Sequence, residues 1–117
     1  MTSFLDFSSQ RLLTVVIKPF RIDAVLEALK PFRISSLTCT EVRGYGRQKG
    51  HLELYKGGEY VISFVPKLRL EILVAADDVD DVTVAIRRSA RTGRIGDGKI
   101  FTLRCDVIDL DCEGSES

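Results

Sequence analysis

The sequence predicts a single α+β domain made of one antiparallel sheet and two helices. Three observations support this prediction: strand-like and helix-like segments alternate along the chain, the chain has 117 residues, and 44% of them are hydrophobic. This length allows one hydrophobic core but not two. We expect residues 1–10 to form a leader, residues 11–106 the folded domain, and residues 107–117 an acidic tail.

The first half of the domain is predicted to be strand, helix, strand. Residues 11–18 form a continuous apolar and β-branched run, which is typical of a buried central strand, and Pro19 ends it. Apolar residues then recur at helical spacing across residues 21–30, and Pro31 ends that helix. Residues 36–43 have the alternation of a second strand.

A long glycine-rich segment separates the two halves. It runs from Gly44 to Gly58, contains five glycines, and is long for a connection inside a compact domain, which is typical of a functional loop. Strand character resumes at residues 60–65 and 68–75, with a bend or bulge expected between them at Pro66 and Lys67.

A second amphipathic helix and a last strand complete the domain. The helix is indicated by the spacing of Val79, Val82 and Ile86, with Asp77 or Asp78 as its cap. Residues 100–105 form the last predicted strand. This order predicts a split βαβ, ferredoxin-like fold with four antiparallel strands and both helices on one face. Since one copy would leave the other face exposed, we expect an oligomer that buries it.

Composition excludes several classes of protein. The 17 basic and 17 acidic side chains balance, which argues against a nucleic-acid-binding face. No apolar run approaches the ~20 residues of a membrane span, and the first ten residues do not resemble a secretory signal, so we expect a cytoplasmic protein with no membrane insertion. Three cysteines without CxxC spacing and one histidine predict no tightly bound metal.

Residues 92–99 have the composition of an anion cradle. Three glycines allow a tight turn whose backbone N–H groups can approach a ligand, and Arg94 and Lys99 add two cations. Phosphate is the commonest anion in such cradles. The segment is not a P-loop, because Ile100 stands where that motif requires Ser or Thr.

Several blocks of the sequence resemble the PII signal-transduction proteins in order and spacing. The blocks are residues 17–20, 38–51, 53–60, 66–67 and 92–101, so the resemblance spans about residues 12–101. It implies a homotrimer that binds adenine nucleotides in clefts between subunits. Residues 44–58 would then lie in the T-loop, which docks on a transporter, enzyme or regulator, and residues 92–99 would form the B-loop.

The resemblance also implies site residues. Thr38 and Glu71 match positions that hold adenine, and Lys67 matches the lysine that pairs with 2-oxoglutarate. The residues implied in nucleotide binding are Thr38, Glu71, Thr92, Gly93, Arg94, Ile95, Gly96, Asp97, Gly98 and Lys99. Those implied in binding a small anion or effector are Gly46, Arg47, Gln48 and Lys67. Tyr60 matches a tyrosine that many bacterial members carry as a uridylylation site; an exposed tyrosine that contacts a partner is the alternative.

The C-terminus departs from the family pattern. Where the family has two alternating arginines that hold nucleotide phosphates, this chain has Asp109 and Asp111. Two unit charges ~5 Å apart at an effective dielectric of ~20 interact by roughly 3 kcal/mol, so attraction becomes repulsion of that order. We therefore expect ADP or AMP to be favoured over ATP. Without well-placed ATP the magnesium-dependent 2-oxoglutarate site would be incomplete, and bicarbonate is then a candidate effector, as in PII-like proteins of carboxysomes and inorganic-carbon metabolism.

Three alternatives to this non-enzymatic carbon sensor remain open at this point. The first is an ordinary nitrogen-regulatory PII protein that binds Mg-ATP and 2-oxoglutarate and is uridylylated on Tyr60. The second is a small hydrolase on a ferredoxin-like fold, which the sequence supports poorly because no nucleophile lies beside a base. The third is a nucleic-acid module, which neutral charge does not favour.

Overall fold

A computed structural model describes residues 10–45 and 64–111. Their helices and strands are β1 (Gln10–Ile17), α1 (Ile22–Leu29), β2 (Ile34–Tyr45), β3 (Phe64–Ala75), α2 (Val79–Ala90) and β4 (Gly98–Arg104). A short 3₁₀ turn precedes each helix, at Pro19–Arg21 and Ala76–Asp78. This order of elements is the predicted one.

The four strands form one sheet in the order β2-β3-β1-β4, and every neighbouring pair is antiparallel. Apolar residues of α1 and α2 pack into the same core cluster as alternate residues of β1 and β3, so both helices cover one face of the sheet. The predicted ferredoxin-like arrangement is therefore confirmed.

The core consists of apolar side chains from both helices and the two central strands. The fully buried members from the strands alternate in sequence because successive side chains of a strand point to opposite faces. The buried residues of this core are Leu13, Val15, Ile17, Val25, Leu29, Leu70, Ile72, Val74, Val82, Ile86 and Ala90. This alternation fixes which side chains remain for the other face of the sheet, called here the open face.

The open face has both apolar and charged side chains. Strand register places Leu12 between Leu73 and Leu103 in one row. The next rows place Thr14 between Glu71 and Phe101, and Val16 between Arg69 and Lys99.

Two features of the open face indicate that something covers it. Phe101 and Leu103 are 50% and 46% exposed, although both are large apolar side chains. Nε of Arg69 is buried without a hydrogen-bond partner among the described residues. The open face of one chain therefore has the character of an interface.

The structure corrects two local predictions. β3 continues through Pro66 and Lys67 without the expected bend, because β1 pairs with β3 only as far as Leu68. Pro66 thus lies in a two-stranded ribbon of β2 and β3, where a missing N–H is tolerated at the free edge. Asp78 occupies the N-cap position of α2, but its side chain makes no capping hydrogen bond.

The β2–β3 ribbon extends beyond the body of the sheet. β2 continues through Gly44 and Tyr45, the first two residues of the segment we assigned to the T-loop. The rings of Tyr45 and Phe64 meet edge to face, with centroids 6.4 Å apart, at the far end of the ribbon. The remainder of the predicted T-loop lies outside the described residues.

Gly98 is the glycine with the strictest requirement in the described chain. Its φ is +124°, and a Cβ built on it would lie 1.7 Å from the carbonyl oxygen of Val16. Gly93 has a φ of +85° but open space around it. Substitutions at these two positions therefore distinguish the cost of a positive φ alone, at Gly93, from the added cost of a steric clash, at Gly98.

We therefore expect Gly98→Ala to destabilise the fold much more than Gly93→Ala. The strained φ alone costs about 1–2 kcal/mol at Gly93, whereas the clash with Val16 forces β4 away from β1 and costs at least about 3 kcal/mol at Gly98. Urea denaturation of both variants measures the difference. Equal losses of unfolding free energy would contradict the close approach of Gly98 to β1.

Candidate functional site

The loop between α2 and β4 is organised around the carboxylate of Asp97. Oδ2 accepts hydrogen bonds from the backbone N–H groups of Thr92 and Gly93, each at 2.9 Å. Oδ1 accepts a short hydrogen bond from the Thr92 hydroxyl. One side chain thus closes the loop across its base.

Lys18, which follows β1, holds the same carboxylate from the other side. Its Nζ lies 3.0 Å from Oδ1 of Asp97 and donates to Oγ1 of Thr92 at 3.1 Å. The hydrogen bond from the Thr92 hydroxyl is the largest of the effects that hold the pKa of the Asp97 carboxyl well below its ordinary value. Asp97 is therefore ionised throughout the physiological pH range.

Lys67 of β3 fixes the tip of the loop. Its Nζ donates a short hydrogen bond to the carbonyl oxygen of Gly96. Partial burial and the charge of Lys18 lower the pKa of the Lys67 ammonium, although Asp97 opposes this shift. A partly buried ammonium next to another cation is destabilised in its charged form, and a bound anion would offset this. The position of Lys67 therefore favours an anion.

A cleft of about 580 Å³ opens beside this loop on the side of the open face. Gly96, Gly98 and Lys99 of the cradle border it, together with Lys67. Gly44 and Tyr45, at the end of β2, line it as well, and Val16, Ile95, Asp97 and Phe101 complete the lining. The Asp97 carboxylate is already bound by Lys18 and Thr92. The cleft combines two ammonium groups, glycine backbone and apolar surface, a combination suited to an organic anion.

The predicted cradle residues divide into two groups. The N–H groups of Thr92 and Gly93 point inward to Asp97, and the N–H of Arg94 donates to Oγ1 of Thr92 at 3.2 Å. These three amides already have protein acceptors, and the Asp97 carboxylate has protein donors. Gly96, Gly98 and Lys99 are the cradle residues left to present backbone and charge to the cleft. Ile95, at the loop tip, is 64% exposed.

Thr38 and Glu71 are brought together but lie away from the cradle. They face each other across the β2–β3 pair. The row that contains them continues through Thr14 to Phe101, which places Thr38 three strands away from β4. Neither lines the cleft. A single chain therefore contains two separate halves of the predicted nucleotide site.

The structure leaves some predicted residues without a description. Gly46, Arg47, Gln48 and Tyr60 lie outside the described residues. Asp109 and Asp111 are described, and both are exposed. Within the described chain the ion pairs are Lys18–Asp97 and Lys30–Glu27, so the two tail carboxylates have no cationic partner there.

Sequence analysis missed the anchoring role of Lys18 and the contribution of Gly44, Tyr45 and Phe101 to the cleft. Lys18 belongs to the family-like block of residues 17–20, but its contact with Asp97 depends on the pairing of β1 with β4. No helix among the described residues combines the length and apolarity needed to cross a membrane.

Comparison with known proteins identifies a class of regulatory protein with this fold and loop. Residues 10–109 match the family model described as Nitrogen regulatory protein P-II. The nitrogen regulatory protein P-II of Rhizobium etli is 55% identical over 96 residues, which are 82% of this chain and 86% of that protein. Nitrogen regulatory protein GlnK of Escherichia coli strain K12 is 52% identical over 91 residues, 78% and 81% of the two chains.

A solved structure gives the same result. The PII protein of Arabidopsis thaliana bound to citrate has a TM-score of 0.65 and 35% identity, with 84% of this chain and 76% of that chain covered. This chain belongs to the PII nitrogen regulatory protein family. Proteins of this family are non-enzymatic signalling proteins and are typically trimers.

We expect Asp97→Asn to loosen the loop without unfolding the domain. The asparagine amide lacks the negative charge that pairs with Lys18. If its oxygen stays in contact with the lysine, its NH₂ group, which is a donor, faces the N–H donors of Thr92 and Gly93. Hydrogen exchange at Thr92 and Gly93 should accelerate by about tenfold or more. Asp106→Asn, an exposed acid outside the loop, is the matched control, and unchanged exchange in Asp97→Asn would contradict the anchoring role.

The low pKa of Asp97 predicts a specific pH dependence. A carboxylate whose pKa is lower in the folded state stabilises the fold above its ordinary pKa of about 3.9 and loses that effect as pH falls below it. The difference in unfolding free energy between the wild type and Asp97→Asn should therefore be constant from about pH 5 to 8. It should shrink below about pH 4. A difference that changes between pH 6 and 8 would assign the effect to another group.

Proposed function

We propose that this chain is a nitrogen-regulatory PII protein that binds an adenine nucleotide between subunits and reports its state to a partner through the T-loop. The observation that supports this most directly is the cleft beside residues 92–99, where Lys67 and Lys99 meet glycine backbone. The matched relatives are named nitrogen regulatory proteins. Their names favour a role in nitrogen regulation over the role in inorganic-carbon sensing that the acidic tail suggested.

The split of the site within one chain supports binding between subunits. The cradle supplies charge for phosphates, and the pair Thr38 and Glu71 supplies a hydroxyl and a carboxylate that can accept from the adenine amine. Because neither Thr38 nor Glu71 of the same chain lines the cleft, a neighbouring copy must bring its own Thr38 and Glu71 to the cradle. A homotrimer closed around the open faces places them there and also covers Phe101 and Leu103.

Lys67 is the residue that we assign to the effector. In the described structure the Lys67 ammonium donates a hydrogen bond to the Gly96 carbonyl, so an anionic effector must compete with that carbonyl for Lys67. A carboxylate would meet Lys67 more strongly than a neutral carbonyl does. The Arabidopsis relative is described as bound to citrate, which supports a carboxylate ligand for this family. We therefore favour 2-oxoglutarate, with bicarbonate as the alternative.

Competition at Lys67 links the effector to the loop. When Lys67 turns to the effector, the tip of the loop loses its contact at Gly96, while the base stays anchored on Asp97. Gly44 and Tyr45 border the same cleft and lead directly into the predicted T-loop. The proposed signal thus passes from the cleft along the β2–β3 ribbon, and Tyr60 is the proposed modification site within that loop.

The partner is a protein, such as a transporter or metabolic enzyme, that the T-loop contacts in the cytoplasm.

The acidic charge of the C-terminus bears on the choice between ATP, ADP and AMP. Asp109 and Asp111 cannot hold phosphates as arginines do, so ATP should lose part of its usual advantage over ADP or AMP. This preference and the choice of effector are open to a single calorimetric experiment.

Calorimetric titration with AMP, ADP and Mg-ATP, each with and without 2-oxoglutarate or bicarbonate, tests the proposal. We expect saturable nucleotide binding, with a Kd for ADP that is no higher than the Kd for ATP. If 2-oxoglutarate strengthens Mg-ATP binding, the chain is a nitrogen sensor. If bicarbonate instead changes ADP or AMP binding, the carbon-sensing alternative is correct. The absence of any nucleotide binding would overturn the proposed function.

Reversing the tail charges should shift the preference toward ATP. Asp109→Arg with Asp111→Arg replaces repulsion by attraction, and the ratio of ATP to ADP affinity should rise by about tenfold or more. Asp23→Arg with Glu27→Arg, on the exposed side of α1, makes the same change in net charge away from the cleft. An equal rise in both double variants would assign the effect to net charge alone.

A further inference from the structure

In the part of the chain that the structure describes, no strand pairs with the outer edge of β4, which lies next to a cationic groove. Among the described residues, β4 is the last strand of the sheet and pairs only with β1. A cavity of about 510 Å³ lies between this strand and α2, and its lining includes Gly98 and Ile100 of β4, Arg87 of α2, and Arg91, the residue directly after α2. An edge strand beside such a groove can accept a further extended segment.

Two observations give the groove a preference for carboxylates. Arg87 and Arg91 have no carboxylate within ion-pair distance in the described part of the chain. Oγ1 of Thr83, which lines the same cavity, is buried and has no hydrogen-bond partner among the described residues. Asp97 also borders the cavity, but its charge is matched by Lys18. The groove therefore has two available guanidinium groups and one hydroxyl donor.

The chain contains a segment with complementary chemistry. Residues 106–117 include five acids and no base. Within them, Asp109 and Asp111 alternate with Ile108 and Leu110, and in the described structure these side chains are exposed, Leu110 by 98%. An exposed alternating segment directly after an edge strand has the pattern of a further strand.

A tight turn would bring this segment onto β4 in a single register. With Cys105 and Asp106 as a two-residue loop, Val107 pairs with Arg104, as in the commonest β-hairpins. The pairing then continues from Ile108 opposite Leu103 to Asp111 opposite Ile100.

This register sends each side chain to a suitable face. Ile108 and Leu110 fall on the open face beside Leu103 and Phe101, both partly exposed and apolar. Asp109 and Asp111 fall on the helix face, where Arg87 and Arg91 lie. Alternate residues of a strand are about 6.6 Å apart, and side chains one helical turn apart are separated by about 5–6 Å. The two acids therefore match the two arginines in spacing as well as in charge.

We propose that residues 107–111 form a fifth strand on the outer edge of β4, with Asp109 and Asp111 paired to Arg87 and Arg91. In the described arrangement Val107 is half-buried and forms an isolated β-bridge, whereas residues 108–111 are exposed and outside any strand, which is the undocked state of those residues. Docking holds both tail acids on the helix face of the sheet, where Arg87 and Arg91 lie. The inference depends on α2 and β4 alone, so nucleotide binding and tail docking can fail independently.

A disulfide trap tests the register. In a background of Cys39→Ser, Cys105→Ser and Cys112→Ser, the pair Phe101→Cys with Leu110→Cys places two cysteines directly opposite each other, within the Cα separation that a disulfide requires. Leu103→Cys with Leu110→Cys is the matched pair shifted by two residues. We expect the first pair to oxidise at least about tenfold faster. Equal rates, or disulfides between chains on a denaturing gel, would overturn the proposal.

Charge variants test the recognition in the same background. Arg87→Gln with Arg91→Gln should slow oxidation of the opposed cysteine pair by roughly threefold to tenfold, the range expected for two exposed ion pairs, and high salt should have the same effect. Arg88→Gln, which lies on α2 but does not line the groove, is the control. If Arg88→Gln slows oxidation as much as the double variant, general charge and not the groove attracts the tail.

Discussion

The carboxylate of Asp97 is the contact on which the rest of the site depends. It is held by Lys18, which follows β1, and by the backbone of Thr92 and Gly93, so the loop is formed before any ligand arrives. A loop that is already ordered does not lose that conformational entropy on binding. The same contact directs the amides of the loop's first residues inward and leaves Gly96, Gly98 and Lys99 to face the cleft.

Charge is balanced over the whole chain but segregated within it. Four acids lie between Asp77 and Asp81, at the start of α2, and four arginines lie between Arg87 and Arg94, at its end and in the loop beyond. This polarity suits the helix dipole. The end of α2 is cationic and the tail is acidic, although the net charge of the chain is zero. The proposed fifth strand would bring these two opposite charges together.

Sequence reasoning predicted the elements well where local chemistry sets them. Pro19 and Pro31 bound α1 closely, and the spacing of Val82 and Ile86 identified α2 because both residues are core. It placed the end of β2 too early, since Gly44 resembles a breaker but lies in a paired ribbon. It also expected a bend at Pro66, because a sequence does not show that β1 stops short of that position.

For the candidate site, the sequence suggested residues but not their geometry, and the roles of those residues stay predictions. The glycines and Lys99 were recognisable from composition, and Lys67, Thr38 and Glu71 from family resemblance. The inward role of Asp97 was not, because it depends on a lysine from the other end of the domain. Nor did the sequence show that Thr38 lies three strands and Glu71 two strands away from β4, the separation on which the proposed two-subunit site depends.

Binding by mixed trimers would test this two-subunit site most directly. Glu71→Ala removes one half and Lys99→Ala the other, so trimers of either variant alone should bind ADP poorly. After the two are unfolded and refolded together at equal concentration, about one quarter of the clefts should combine an intact cradle with an intact partner face and bind ADP normally. If the mixture binds no more ADP than the separate variants, the site does not join two subunits and the account is wrong.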